Sequence, residues 1–213
     1  MDKLKEIIKK WSPELFKKLI RGIRFILSKR YVARLVRDQK NICLEIGAGS
    51  RKGANGWTTL DISGCDICWD LSKKLPFPDN SVHKIYSSHV LEHFTFQEGK
   101  RLLDECYRIM VPNGIFSICV PNARIYIEAY IRGEHLAENI YFQYKAAYNN
   151  TSRIDYVNHI AYMDGHHKYM FDGENLLCVL RNQGFKSVTL RDFDESIDMP
   201  ERRISSIYAE AKK

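Results

Sequence analysis

The sequence has no apolar run long enough to cross a bilayer. Its longest stretch without a charged side chain, residues 109–123, holds 15 residues and is broken by Pro112, Gly114 and Pro121. A spanning helix needs about 20 apolar residues. Nor does an uninterrupted apolar segment follow Lys3, Lys5, Lys9 and Lys10, so no secretory leader is expected. Zinc-finger spacing is lacking as well: Cys65 and Cys68 form a C-x-x-C, but no second pair of Cys or His completes a zinc site. Three of the six cysteines lie inside apolar runs, where cysteine acts as a small hydrophobe. A reducing, cytoplasmic setting is expected.

What is present is globular. Apolar residues make up 45% and charged residues 28% of the 213, the balance of one ordinary domain with a single core. A chain of this length buries roughly 70% of its unfolded surface, so neither metal nor disulfide is needed to stabilise it. The net charge of +7 is concentrated: residues 1–40 hold 13 Lys and Arg against four acids, leaving residues 41–213 with 20 against 22. Within residues 1–40, Leu15, Phe16, Leu19, Ile20, Ile23, Ile26 and Leu27 recur at helical spacing. Lys17, Lys18, Arg21, Arg24 and Lys29 fall opposite, and Phe25 alone is out of register. This basic amphipathic helix is expected to pack its apolar face on the rest of the domain or, alternatively, to contact an anionic membrane surface from the cytoplasmic side. Nucleic acid is the least supported partner, because a phosphate-tracking protein carries positive charge across its site too. Nothing in the sequence sets an oligomeric state.

From residue 41 the pattern is that of an α/β domain. Residues 41–46 (NICLEI) read as a buried strand entering the glycine turn Gly47-Ala48-Gly49-Ser50. Residues 58–61 and 66–70 read as strands that end in Asp61 and Asp70, and residues 84–88 as a fourth strand. Thr95 and Glu98 form a capping box for a helix over 95–110, which stops at Pro112-Asn113-Gly114 before a fifth strand over 115–120. Asp172 caps a second helix that ends at Gly184, and strands over 188–191 and 206–211 close the pattern. Strands separated by helices predict a mainly parallel sheet covered on both faces, with ligands beyond the carboxyl ends of the strands. There, a carboxylate after the second strand can accept both ribose hydroxyls and one after the third an adenine amino group. A nicotinamide dinucleotide fits less well: Lys52 stands where the third glycine of G-x-G-x-x-G belongs, and Asp61 lies only 12 residues past Gly49.

These stretches, LEIGAGS (44–50), LDI (60–62), WDLSKKLPFPDNSVHKIYSSHVLEHF (69–94) and RLLDECYRIMVPNGIFSICVPN (101–122), make residues 40–211 resemble the class I S-adenosylmethionine-dependent methyltransferases. The resemblance implies a Rossmann-like, seven-stranded sheet with its last strand antiparallel and S-adenosyl-L-methionine over the carboxyl edge. By position, Glu45, Gly47 and Gly49 would form the loop at the methionine end and Asp61 would hold the ribose. Asp70 and Leu71 would flank the adenine, and Ser88 with His89 would line the site. Residues 51–57 are too short for the usual first helix and are expected to form a single turn. The short Gly56-Trp57-x-x-Leu60-Asp61 arrangement is similar to that of predicted methyltransferases of bacterial surface-glycan pathways. The resemblance thus implies a small-molecule or glycan acceptor, methylated at oxygen. The alternatives are an RNA or protein acceptor and a non-catalytic cofactor-binding protein recruited through residues 1–40.

For a hydroxyl acceptor a histidine is the natural base, and His89, His93, His166 and His167 are the candidates. Glu92 and His93 are adjacent rather than at i, i+3, so no metal site is expected. Residues 122–170 hold eight of the twelve tyrosines and four of the seven histidines. This aromatic-rich insertion is expected to form a lid over the acceptor, or else a small helical unit with its own core.

Overall fold

The computed structural model describes residues 13–134 and 152–213, with the side chains of residues 13–18 and 21 excepted. Seven strands form one sheet: β1 (Cys43–Ile46), β2 (Trp57–Asp61), β3 (Ile67–Cys68), β4 (Val82–Ser88), β5 (Met110–Pro121), β6 (Lys186–Leu190) and β7 (Ser206–Lys212). Their order is β3-β2-β1-β4-β5-β7-β6. The first five are parallel, and β7 runs antiparallel to both β5 and β6. The expected Rossmann-like sheet is therefore present, and its order reverses between β1 and β4, the place where such sheets open a crevice. Consecutive residues of β4 (85–88) and β5 (116–121) are all buried, so both faces are covered there.

The described helices are α1 (Pro13–Asp38), α2 (Phe96–Ile109), α3 (Ala123–Arg132), α4 (Ile154–Tyr162) and α5 (Gly173–Asn182). The Thr95–Glu98 capping box starts α2, which buries Leu102, Leu103, Cys106 and Ile109. The Asp172 carboxylate accepts from Asn175 N at 2.7 Å to start α5, which buries Leu176 and Leu180. Three expectations are corrected. Residues 112–114 do not separate helix from strand: β5 begins at Met110, and the ladder to β4 shifts between Val82 and Lys84 to absorb them as a bulge. β3 shrinks from residues 66–70 to Ile67–Cys68, because Asp66 Oδ2 accepts from Gly53 N (2.8 Å) and Thr59 N (3.0 Å), and Asp70 Oδ1 accepts from Ser72 N (2.9 Å). Both acids are drawn into turns. Residues 51–56 contain no helical turn, only a tight turn at Asn55 and Gly56.

The largest correction concerns α1. Leu19, Ile23, Ile26 and Leu27, members of the expected core-facing stripe, are exposed. Phe25, the residue out of register, stacks on Trp69 with ring centroids 3.8 Å apart. Ser28, Val32 and Leu35 are buried, and Ser28 Oγ accepts from Cys68 N at 3.0 Å. At 3.6 residues per turn, about 100° per residue, positions 25, 28, 32 and 35 form one face and 19, 23, 26 and 27 the other. The helix thus carries two apolar faces in series, and only the second meets the sheet. No helix among the described residues is long and apolar enough to cross a membrane. Cys65 packs its Sγ against Asp61 O and Ile67 O (3.3 and 3.1 Å), and burial pushes its thiol up to about 11, so it is an inert structural thiol.

The segment before β7 is held by one buried acid. Asp198 accepts from both Nη atoms of Arg191, from Tyr86 Oη at 2.9 Å and from Asp194 N at 2.8 Å. Removing one partner of such a pair strands the other. Asp198→Ala is expected to lower stability by about 3–5 kcal/mol in denaturant unfolding; a loss below about 1 kcal/mol would show that the network does not anchor this segment.

Candidate active site

β1 delivers the chain into a glycine turn in which Gly47 (φ 69°) and Gly49 (φ 64°) are left-handed, a conformation cheap only for glycine. A Cβ on Gly47 would lie 2.1 Å from Val90 Cγ2, so the turn rests directly on the residue that follows β4 by two positions. A Cβ on Gly49 would meet nothing within 4 Å. The backbone there is open to a ligand. Gly49 N donates to Asp61 Oδ2 at 2.7 Å, so the acid ending β2 closes the same turn. Each carboxylate oxygen has a second lone pair and can still accept ribose hydroxyls. Glu45 pairs with Arg51, whose Nε also donates to Ala48 O at 3.1 Å; burial raises the Glu45 carboxyl against the pull of that guanidinium. Asp70 is exposed beyond β3, with half-buried Leu71 beside it.

The exit of β4 is more densely built. Ser88 is buried, and its carbonyl and Oγ accept from Arg202 Nη1 at 2.8 and 2.6 Å. His89 is left-handed (φ 56°) and its Nε2 lies 2.8 Å from Ser206 Oγ. Burial, with Arg202 second, pushes its pKa to about 3; it is neutral and a weak base. A 3₁₀ turn, Leu91–His93, follows. Glu92 is 2% exposed, and neither carboxylate oxygen has a hydrogen-bond partner. Burial pushes it up to about 8. His93 donates from Nδ1 to His166 O at 2.9 Å, and its Nε2 stands 4.0 Å from Glu92 Oε1. His167 is buried with its ring 5.1 Å from that of His93, and its Nδ1 lies 2.9 Å from Ile160 O.

The structure thus gathers three of the four expected histidines, His89, His93 and His167, around Glu92. His166 is exposed and contributes its carbonyl. The strap that carries them is tied down where Lys168 N donates to Glu92 O at 2.8 Å. In the insertion, α3 and α4 pack through Ala123, Tyr126 and Ile160, with Ile125 and Tyr156 alongside. These aromatics form a small core of their own. Tyr141, Tyr144, Tyr148 and His135, expected in a lid, lie outside the described residues. Sequence reasoning missed Arg202 and Ser206. No local pattern marks either, because their partners Ser88 and His89 are more than 110 positions away.

Residues 32–118 match the family model described as a methyltransferase domain. Over those residues, fewer than half of the chain, it is similar to the methyltransferases. Its fold recurs in a SAM-dependent methyltransferase from Archaeoglobus fulgidus, at 19% identity over 93% of this chain and 98% of that one, TM-score 0.50. The 1,6-didemethyltoxoflavin N1-methyltransferase of Burkholderia thailandensis matches at 12% identity over 95% and 91%, also with TM-score 0.50. The complex of the Haloferax volcanii Trm112 methyltransferase activator with a methyltransferase matches at 13% over 92% and 94%, TM-score 0.50. At these identities the likeness is one of fold. No curated protein matches. The open glycine turn and the acid of β2 present backbone amides and carboxylate oxygens at the carboxyl edge of the sheet, groups that can bind a nucleoside. Asp61→Ala is expected to weaken S-adenosylhomocysteine binding about ten- to a hundredfold in calorimetry, the worth of a charged hydrogen bond of roughly 1.5–3 kcal/mol. Unchanged affinity would remove Asp61 from the site.

Proposed function

We propose that the enzyme methylates an oxygen of a small molecule or glycan intermediate. The observation that carries this reading is a cavity of 600 Å³ at the carboxyl end of β5, lined among others by Asn122, Arg124, Arg191, Arg203 and Ser206. Ser206 lines this cavity and also meets His89, so the space adjoins the exit of β4. Its size is that of a small-ligand site, and its arginines suit a hydroxyl-rich or anionic acceptor. An RNA acceptor lacks support, since residues 41–213 carry two more acids than bases.

The bound cofactor supplies an electrophilic methyl group on a sulfonium. The protein's part is to hold the acceptor in line and to take its proton. Glu45, Gly47 and Gly49 take the methionine end, Asp61 the ribose, Asp70 and Leu71 the adenine, and Ser88 and His89 a wall of the site. Among the histidines, His93 suits the base best: its Nδ1–H is spent on the His166 carbonyl, which leaves Nε2 accepting, and its side chain is 42% exposed. His89 and His167 are buried, and that burial lowers the pKa of both. Labelled-methyl transfer to a panel of nucleotide sugars, RNA transcripts and peptides tests the acceptor class; label in RNA or peptide alone overturns it. On an acceptor found this way, His93→Ala is expected to lower turnover about 10²- to 10⁴-fold with cofactor affinity kept.

The outward face of α1 supports a membrane partner. Exposed Leu19, Ile23, Ile26 and Leu27 lie in the segment that holds 13 of the 33 basic residues, the make-up of a helix resting on anionic lipid. Sedimentation with anionic vesicles is expected to fall with salt, each Lys or Arg near the surface being worth about 1 kcal/mol. It should vanish in Ile23→Asp/Leu27→Asp. Retained binding in that variant, or no binding by the wild type, contradicts this reading.

A further inference from the structure

At the exit of β4 three side chains converge, Glu92, His93 and His167, with His89 Nδ1 also 3.7 Å from Glu92 Oε1. His93 Nδ1 faces the His166 carbonyl and His167 Nδ1 the Ile160 carbonyl, each at 2.9 Å. A carbonyl only accepts, so each ring carries a proton on Nδ1, and in its neutral tautomer presents a bare Nε2. Between them Glu92 holds two carboxylate oxygens, both buried and both without a donor. One ligand atom from each of Glu92, His93 and His167 lies within 4.8 Å of the other two. Arg202, the nearest guanidinium acting on the group, spends its Nη1 on Ser88. A buried carboxylate without a hydrogen-bond donor, beside two imidazole nitrogens, is a set of lone pairs that a cation would satisfy.

We propose that Glu92, His93 and His167 bind a divalent transition cation of the zinc type, through one carboxylate oxygen and two Nε2 atoms. Two imidazoles and one carboxylate are the donors such ions favour over magnesium. Bond lengths of about 2.0–2.2 Å put tetrahedral ligands roughly 3.3 Å apart. The 4.0 Å between His93 Nε2 and Glu92 Oε1 must therefore close by less than 1 Å, and the pairs with His167, which lie within 4.8 Å, by at most about 1.5 Å. The outer partners are already in place: the His166 and Ile160 carbonyls fix the tautomer and the plane of each ring, as carbonyls behind metal-bound histidines do. Three protein ligands leave a fourth position open, and the half-exposed His93 puts it within reach of solvent. An acceptor oxygen bound there would be made more acidic by the cation. The proposal rests on the methyl-transfer reading but replaces His93 as base: with Nε2 on the cation, the acidified acceptor oxygen would release its proton to solvent through the open position. The adjacency of Glu92 and His93 conceals the site in sequence, because its third ligand lies 74 positions further along.

Calorimetric titration of the metal-stripped full chain with zinc chloride tests it without any acceptor. The expected result is one equivalent bound, with Glu92→Gln and His93→Ala each weakening binding at least tenfold. Cobalt in place of zinc should give a spectrum without a thiolate charge-transfer band, which separates this cluster from the Cys65-x-x-Cys68 pair. Glu92→Gln is close to isosteric and breaks no hydrogen bond seen in the structure. Should it fail to fold, the partly exposed His93→Ala decides alone. Absence of stoichiometric uptake, equal affinity in the variants, or a thiolate band would overturn the site, and Glu92 would then hold a proton. If zinc fails to bind while His93→Ala still lowers turnover, the base reading stands and this one falls.

Discussion

The contact between Gly47 and Val90 is the constraint on which the site depends. A side chain at position 47 has no room, because Val90 already occupies the place of its Cβ. Protein interiors transmit such contacts without slack. The turn that ends β1 and the chain that leaves β4 are therefore one rigid unit. Asp61, bonded to Gly49 N, joins β2 to it, and Arg202, bonded to Ser88, joins the segment before β7. Four strand ends converge on one small region with few degrees of freedom left.

Electrostatics then divides the labour along that edge. On the β1–β2 side Glu45 pairs with Arg51, Asp61 closes the glycine turn through Gly49 N, and Asp70 is exposed. On the far side of Val90, burial dominates: His89 is held neutral, Glu92 is driven toward its protonated form, and His167 is lowered. Buried groups of this kind are costly unless partnered, which makes this cluster a candidate for function. The described part of the insertion serves the same edge, since its last residues, 166–169, cover the Leu91–His93 turn and supply both a ring and a carbonyl.

Much of this was legible in the sequence. The seven strands, the Thr95 and Asp172 caps and the glycine turn are written in local patterns of short range, and the structure keeps them. α1 was misread for a physical reason. Its apolar stripe changes side near residue 25, so a single-face reading followed the longer run, residues 15–27, and discarded Phe25, the side chain that anchors the helix on Trp69. The bulge in β5 and the shortened β3 were illegible because each depends on side chain-to-backbone bonds formed only after the sheet assembles. Long separation hid the remaining site residues: Ser206 reaches His89 and Arg202 reaches Ser88 across more than 110 positions.

A structure of the protein with S-adenosylhomocysteine bound tests the central claim most directly. The account predicts the ribose hydroxyls against Asp61, the backbone of Gly47 and Gly49 along the amino-acid end, and the thioether sulfur turned toward the Leu91–His93 turn. A nucleoside seated elsewhere, such as the arginine-lined cavity beside β7, or a sulfur facing away from Glu92 and His93, would contradict it.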